Sequence, residues 1–122
     1  MSIFTGGEQG SIRRILYDIA SDDSKYSSIC TVEISPNQCV TPAHSHPHEE
    51  ESVYIITGKG KVLIGEEVLP ISPGSLLYFP PGVPHMIMNM ENTPMKGICF
   101  YASESGEEVI YQYHTDIVFP EE

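Results

Sequence analysis

The chain has 122 residues, a mass of 13.5 kDa and a formal charge of -11, from 17 acidic residues against six Lys and Arg. That length supplies one hydrophobic core, so a single domain over 1–122 is expected. So few cations cannot cluster into a phosphate-gripping surface, which counts against nucleic acid and anionic membranes as partners.

No apolar run approaches the roughly 20 residues of a spanning helix. The Met1–Gly10 stretch lacks a basic start followed by an apolar segment, so the expected setting is cytoplasmic, without a secretory signal. Ten glycines and ten prolines fall at short intervals. Between them lie runs rich in Val, Ile, Tyr and Phe, the punctuation of an all-β domain. Residues 12–19 read as a strand or a short helix, with strand preferred. A strand follows over 29–34, and Pro36-Asn37-Gln38 forms a turn. Residues 40–46 make a strand that carries histidines. A stronger strand over 52–57 is broken by Gly58-Lys59-Gly60. Strands over 61–64 and 68–71 flank Gly65-Glu66-Glu67 as a hairpin. After Pro73-Gly74, a strand over 75–79 stops at Pro80-Pro81-Gly82. Strands over 85–90, 95–101 and 108–113 complete a set of about nine or ten, which predicts a β-sandwich or barrel.

Two of these strands are apolar on both faces: Val53-Tyr54-Ile55-Ile56 and Leu76-Leu77-Tyr78-Phe79. A sheet with one wet face alternates with polar residues, so a second cover is expected here. A homodimer partner is the economical cover, and a terminal segment folding back is the alternative. Met86, Met88 and Met90 form a stripe read as packing or interface. Cys30, Cys39 and Cys99 are odd in number and irregular in spacing. They read as reduced thiols, with a redox or ligand role for Cys39 as the sharper alternative.

The chemistry concentrates in His44-Ser45-His46-Pro47-His48-Glu49-Glu50-Glu51. Residues two apart on a strand share a face, so His44 and His46 project two imidazoles into one space. The pairing of His46 with His48 instead would leave His44 idle. Glu51 opens the next strand, and His85 heads another after a proline-braced turn. Three imidazoles and a carboxylate suit Fe, Mn, Ni, Cu or Zn and leave coordination positions open for water, oxygen or substrate. The alternative is a metal-free pocket for a sugar or an acid. Glu49 and Glu50 are expected to face solvent, with Glu50 the nearer candidate for a base. His48 is expected in a solvated loop, and His114, which has no partner nearby in sequence, on the surface.

Residues 44–58 read His-x-His, four residues, Glu, six residues, Gly: His44, His46, Glu51, Gly58. Residues 74–89 read Gly, five residues, Pro-x-Gly, two residues, His, three residues, Asn: Gly74, Pro80, Gly82, His85, Asn89. This pair of motifs resembles the signature of small single-domain cupins. Gln38 stands where the family often has glycine, and Ser75 where many members carry an acid. The resemblance implies a jelly-roll barrel, or double-stranded β-helix, holding one divalent transition metal ion on His44, His46, Glu51 and His85. It makes Asn89 a hydrogen-bonding or turn residue and Gly58, Gly74 and Gly82 structural.

Alternation extends the site into a pocket wall. Val53, Ile55 and Thr57 share a face with Glu51, and Ile87 and Asn89 share one with His85. The cavity is therefore expected to be apolar around one polar end, the usual form of a small-molecule site. Only Arg13, Arg14 and Lys61 lie on plausible inward strands, so a substrate held mainly through the metal fits best. Three classes remain open: an oxygenase, slightly favoured; a lyase, isomerase or cyclase; and a non-catalytic small-molecule or sugar-binding module. Tyr78, Tyr101 and Tyr111 are candidate proton donors. Fold alone does not choose among these classes.

Overall fold

A computed structural model describes residues 2–4, 11–17, 27–103 and 110–120. Among these residues there are eleven strands and no helix. They are β1 (Ser2–Phe4), β2 (Ser11–Tyr17), β3 (Ser27–Ile34), β4 (Ala43–Ser45), β5 (Glu49–Thr57), β6 (Gly60–Ile64), β7 (Glu67–Ile71), β8 (Leu76–Phe79), β9 (His85–Asn89), β10 (Met95–Ser103) and β11 (Gln112–His114). One antiparallel sheet has the order β1-β2-β3-β10-β5-β8, the other β11-β4-β9-β6-β7. The two form the expected jelly-roll barrel. Residues 18, 19, 108 and 109 of the predicted strands lie outside the described residues, and β1 was not foreseen.

Alternation builds the barrel. In β10, Met95, Gly97, Cys99, Tyr101 and Ser103 are buried while Lys96, Phe100 and Ala102 are exposed. In β5, Glu49, Glu51, Val53 and Ile55 point inward against Glu50, Tyr54 and Ile56 outward. The two inner faces meet in a core that includes Ile34, Val40, Val53, Ile55, Val62, Leu77, Phe79 and Met95. Burial of each such side chain contributes about 1.5–3 kcal/mol.

Local chemistry sets the departures from the predicted elements. The strand expected over 40–46 shrinks to β4, because Pro42 has no amide to give a ladder. Before it, Val40 still donates its N–H to the Ile87 carbonyl at 2.9 Å. Glu67 joins β7 opposite Ile64, so the hairpin turn is two residues, with Gly65 at φ 61°. Pro70 is tolerated because β7 is an edge strand. Gly60 is required by crowding: a Cβ there would lie 1.8 Å from the Met88 carbonyl oxygen. Between β5 and β10 the register shifts, Ile55 facing Gly97 and Thr57 facing Lys96. The extra residue breaks alternation, so Thr57 turns outward and leaves the wall predicted for it.

Candidate metal centre

The second sheet supplies three histidines and the first supplies the carboxylate. His44 on β4 lies directly across from His85 on β9. His46 follows β4, where its carbonyl accepts the N–H of Gly82 at 2.8 Å. Gly82 sits at φ 76°, a conformation that glycine adopts without strain. The loop after Pro80-Pro81 is thereby tied to the His44–His46 segment. Glu51 on β5 is paired with Tyr101 on one side and Phe79 on the other. Phe79 also stacks flat on the His85 ring, centroids 3.9 Å apart. All four side chains are buried, and one ligand atom from each lies within 4.8 Å of all the others.

The hydrogen bonds fix which atoms face the centre. Nδ1 of His46 lies 2.9 Å from the Ile110 carbonyl oxygen, and Nδ1 of His85 lies 3.1 Å from that of Val83. A carbonyl only accepts, so each Nδ1 carries a proton, and in the neutral imidazole each Nε2 keeps a lone pair. Those Nε2 atoms lie 3.1 Å (His46) and 2.9 Å (His85) from Oε1 of Glu51. None of the three atoms has a hydrogen-bond partner. Burial pushes the Glu51 carboxyl up, but in metal-free protein the charge and hydrogen bonds of His85 and His46 in their protonated form outweigh it and hold the group well below the ordinary carboxylate range. Three electron-rich atoms buried face to face are costly unless a cation joins them. A divalent ion about 2.1 Å from two ligands at right angles sets those ligands about 3.0 Å apart. The donor set and its spacing therefore fit such an ion.

Beside the cluster is a small pocket, partly open to solvent. Its walls include Val32, Ile34, Val40, Val53, Ile87 and Tyr101. Of the predicted wall, Val53 and Ile87 are present. Ile55 belongs to the solid core instead. Asn89 is not in the wall either: its Nδ2 lies 2.8–3.2 Å from the carbonyl oxygens of Ile34, Ser35 and Thr93, and Oδ1 accepts the Glu91 N–H. A buried amide is held by such partners and stitches loops together.

Other expectations are corrected. Glu49 does not face solvent. It is 1% exposed and accepts the N–H groups of His48 and Ile110. Glu50 is the outward residue, bonded to the Tyr78 hydroxyl at 3.0 Å on the far face of the sheet. That contact and the charge of Glu50 raise the pKa of Tyr78, and neither group reaches the cluster. His114 has a partner: its Nε2 lies 2.8 Å from Ser45 Oγ. Lys61 lies 5.3 Å from the Phe119 ring on the outer face rather than inside. Arg13 and Arg14 pair in register with Val32 and Thr31. His48 is exposed, as expected of a loop residue. Cys39 lies outside the cluster, and burial pushes its thiol up to about 11, against a reactive or ligating role.

Two phenols frame the histidines. The Tyr111 ring lies 4.6 Å from that of His46 and 5.5 Å from that of His44. The ring of Tyr101 is 5.0 Å from His46, and its hydroxyl lies 3.4 Å from that of Tyr111. Tyr101 could have been placed inward by parity from Cys99, but the facing of Tyr111 depends on a segment with no periodic pattern.

Comparison with known proteins agrees with this geometry. The Cupin_2 family, described as the cupin domain, matches residues 30–101, more than half of the chain. The chain belongs to this family. The chain is 36% identical over 66 residues to an uncharacterized protein of Methanocaldococcus jannaschii, covering 54% of this cupin and 53% of that protein. It is 34% identical over 70 residues to a glucose-6-phosphate isomerase of Thermococcus kodakarensis, covering 53% and 37%. The cupin thus spans about half or less of these relatives. A cupin-2 domain protein from Rhodospirillum rubrum superposes with a TM-score of 0.73 at 17% identity, covering 95% of this chain and 73% of that one. A polyketide cyclase from Streptomyces resistomycificus superposes at 0.70 and 23% identity, covering 95% and 76%. At those identities the likeness is one of fold.

Proposed function

We propose that this cupin is a metal-dependent enzyme of the isomerase, lyase or cyclase kind, acting on a small oxygen-bearing organic molecule. His44, His46, Glu51 and His85 hold one divalent ion, whether Fe, Mn, Ni, Cu or Zn. The observation that carries this reading is the meeting of two imidazole lone pairs and a carboxylate oxygen, buried and without hydrogen-bond partners. When bound, the ion polarises a substrate oxygen as a Lewis acid. The apolar wall of Val32, Val53 and Ile87 orients the carbon skeleton and excludes water. The Tyr101 side chain lines the cavity and its hydroxyl serves as the proton donor, with the Tyr111 hydroxyl 3.4 Å away to replace the proton. The described lining is apolar beyond the cluster and Tyr101, which suits a hydroxyketone or an enolisable ketone held through the ion.

The test uses protein loaded with a single metal and kept free of oxygen. Deuterium exchange next to the carbonyl of small hydroxyketones is followed by NMR. Exchange is expected, and Tyr101→Phe should slow it at least about 100-fold while keeping the metal. An oxygenase is the second reading, favoured by a nitrogen-rich set that suits redox ions. Oxygen consumption without deuterium exchange would select it. Metal content with neither activity would favour a binding module.

Two further features belong to this reading. Cys30, Cys39 and Cys99 form no disulfide among the described residues, and reduced cysteines suit a cytoplasmic setting. The outer face of β5, β8 and β10 carries Tyr54, Ile56, Leu76, Tyr78 and Phe100, all exposed. Such a patch suits a homodimer interface.

A further inference from the structure

We infer that Glu49 is a positioning residue for the metal centre, acting through the backbone of Ile110 to hold His46 in its ligating tautomer. The inference rests on the metal-site reading above but is testable apart from it. Glu49 is almost wholly buried, two residues before Glu51 on the same inward face of β5. Its described partners are two backbone amides: His48 N–H on Oε2 at 3.2 Å and Ile110 N–H on Oε1 at 3.4 Å. Neither oxygen joins the His44, His46, Glu51 and His85 cluster. The carboxylate is spent on the segment that leads into β11.

What that segment does explains the cost of burying a carboxylate there. Ile110 donates its N–H to Glu49 and accepts the Nδ1 proton of His46 on its carbonyl. Holding the Ile110 N–H anchors that residue and restricts how far its backbone can carry the carbonyl away from His46. With the carbonyl held 2.9 Å from Nδ1, the ring keeps its proton there and presents Nε2 to Glu51. The two residues lie 64 positions apart in sequence, so local geometry alone cannot secure this bond. His85 is a built-in contrast. Its Nδ1 partner is the carbonyl of Val83, two residues back in a loop that Pro80, Pro81 and Pro84 stiffen. It needs no outside anchor. The acid is also the right chemistry for Glu49, because both groups it meets are donors. An amide in its place has one accepting oxygen and turns an NH2 toward the other N–H. Partners of this kind, one shell removed from a metal, set ligand orientation and change affinity by about 10–100-fold when lost.

The experiment compares wild type with Glu49→Gln. In metal-free protein, long-range proton–nitrogen NMR of the imidazoles reads the tautomers of His46 and His85 directly. Wild type should show both as Nδ1–H. In Glu49→Gln, His46 should become a mixture of tautomers while His85 is unchanged, and Co²⁺ affinity should fall about tenfold. A role for Glu49 in stability alone would lower the unfolding midpoint and leave the His46 tautomer intact, which overturns the inference. Should Glu49→Gln not fold, the wild type still decides. A His46 protonated on Nε2, or a rapidly exchanging Ile110 amide, contradicts the inference; Nδ1–H with a protected amide supports it. Wild type that shows the tautomers described yet takes up no Co²⁺ overturns the metal reading and leaves the orienting role of Glu49 standing.

Discussion

The outer faces of the two sheets are finished differently. The sheet that carries the three histidines is covered by its own chain. Past β11, Ile117 and Phe119 pack against Ala43, Leu63 and Met86, and the Lys61 ammonium lies over the Phe119 ring. The sheet that carries Glu51 has no such cover among the described residues. Leu76 is 71% exposed there and Phe100 47%. The difference teaches where precision is needed. Three ligands and two carbonyl-fixed tautomers depend on β4, β9, the loop at Val83 and the segment that leads into β11 at Ile110, and residues past β11 brace that side. The opposite side contributes one carboxylate from a long strand paired on both edges, and its outer surface is exposed.

Substitutions on the two faces should separate in size. Leu63→Ala, on the covered face, should cost about 2–4 kcal/mol in denaturant unfolding, because it leaves a cavity under the tail. Phe119→Ala should cost less, about 1–2 kcal/mol, since the ring is only partly buried and its cation–π contact with Lys61 is worth about 0.5–1 kcal/mol. On the bare face, Leu76→Ala should change the unfolding of an isolated chain by no more than about 0.5 kcal/mol. The same face is expected to govern assembly. Light scattering should give about twice 13.5 kDa for wild type and a single-chain mass for Leu76→Asp. A wild-type monomer would mean that the exposed patch is not a dimer interface. The smallest effect concerns Cys39, whose thiol pKa of about 11 stands against an ordinary 9.0. With a higher pKa the thiolate fraction at neutral pH is smaller, so alkylation at pH 7 should be about 100-fold slower than for a free thiol. Rapid labelling would show that the thiol is more open than its packing suggests.

Much of this organisation was legible in the sequence, and the limits have physical causes. Parity placed His44 and His46 together, and two proline- and glycine-bounded turns brought Glu51 and His85 to strand ends. The same parity, counted backwards from Glu51, puts Glu49 inside; its charge argued for solvent, and the two backbone amides that hold it were invisible. The outward turn of Thr57 depends on a bulge opposite Gly97, a property of strand pairing rather than of β5 itself. Ser45 and His114 are 69 positions apart, and no local pattern announces their bond. The covering tail is equally silent, because Ile117 and Phe119 are two apolar residues in an irregular segment. What periodicity fixes is the face of a residue on its strand. It does not reach the contacts made between distant segments.

The most direct test of the central claim is a calorimetric titration of chelator-stripped protein with Co²⁺, run beside Glu51→Gln. The substitution keeps the shape of the side chain and removes the carboxylate that faces His46 and His85. One ion per chain in wild type, with affinity reduced at least about 100-fold in Glu51→Gln, is the predicted result. Absence of binding in wild type, or undiminished binding in the variant, would contradict a metal centre built on His44, His46, Glu51 and His85.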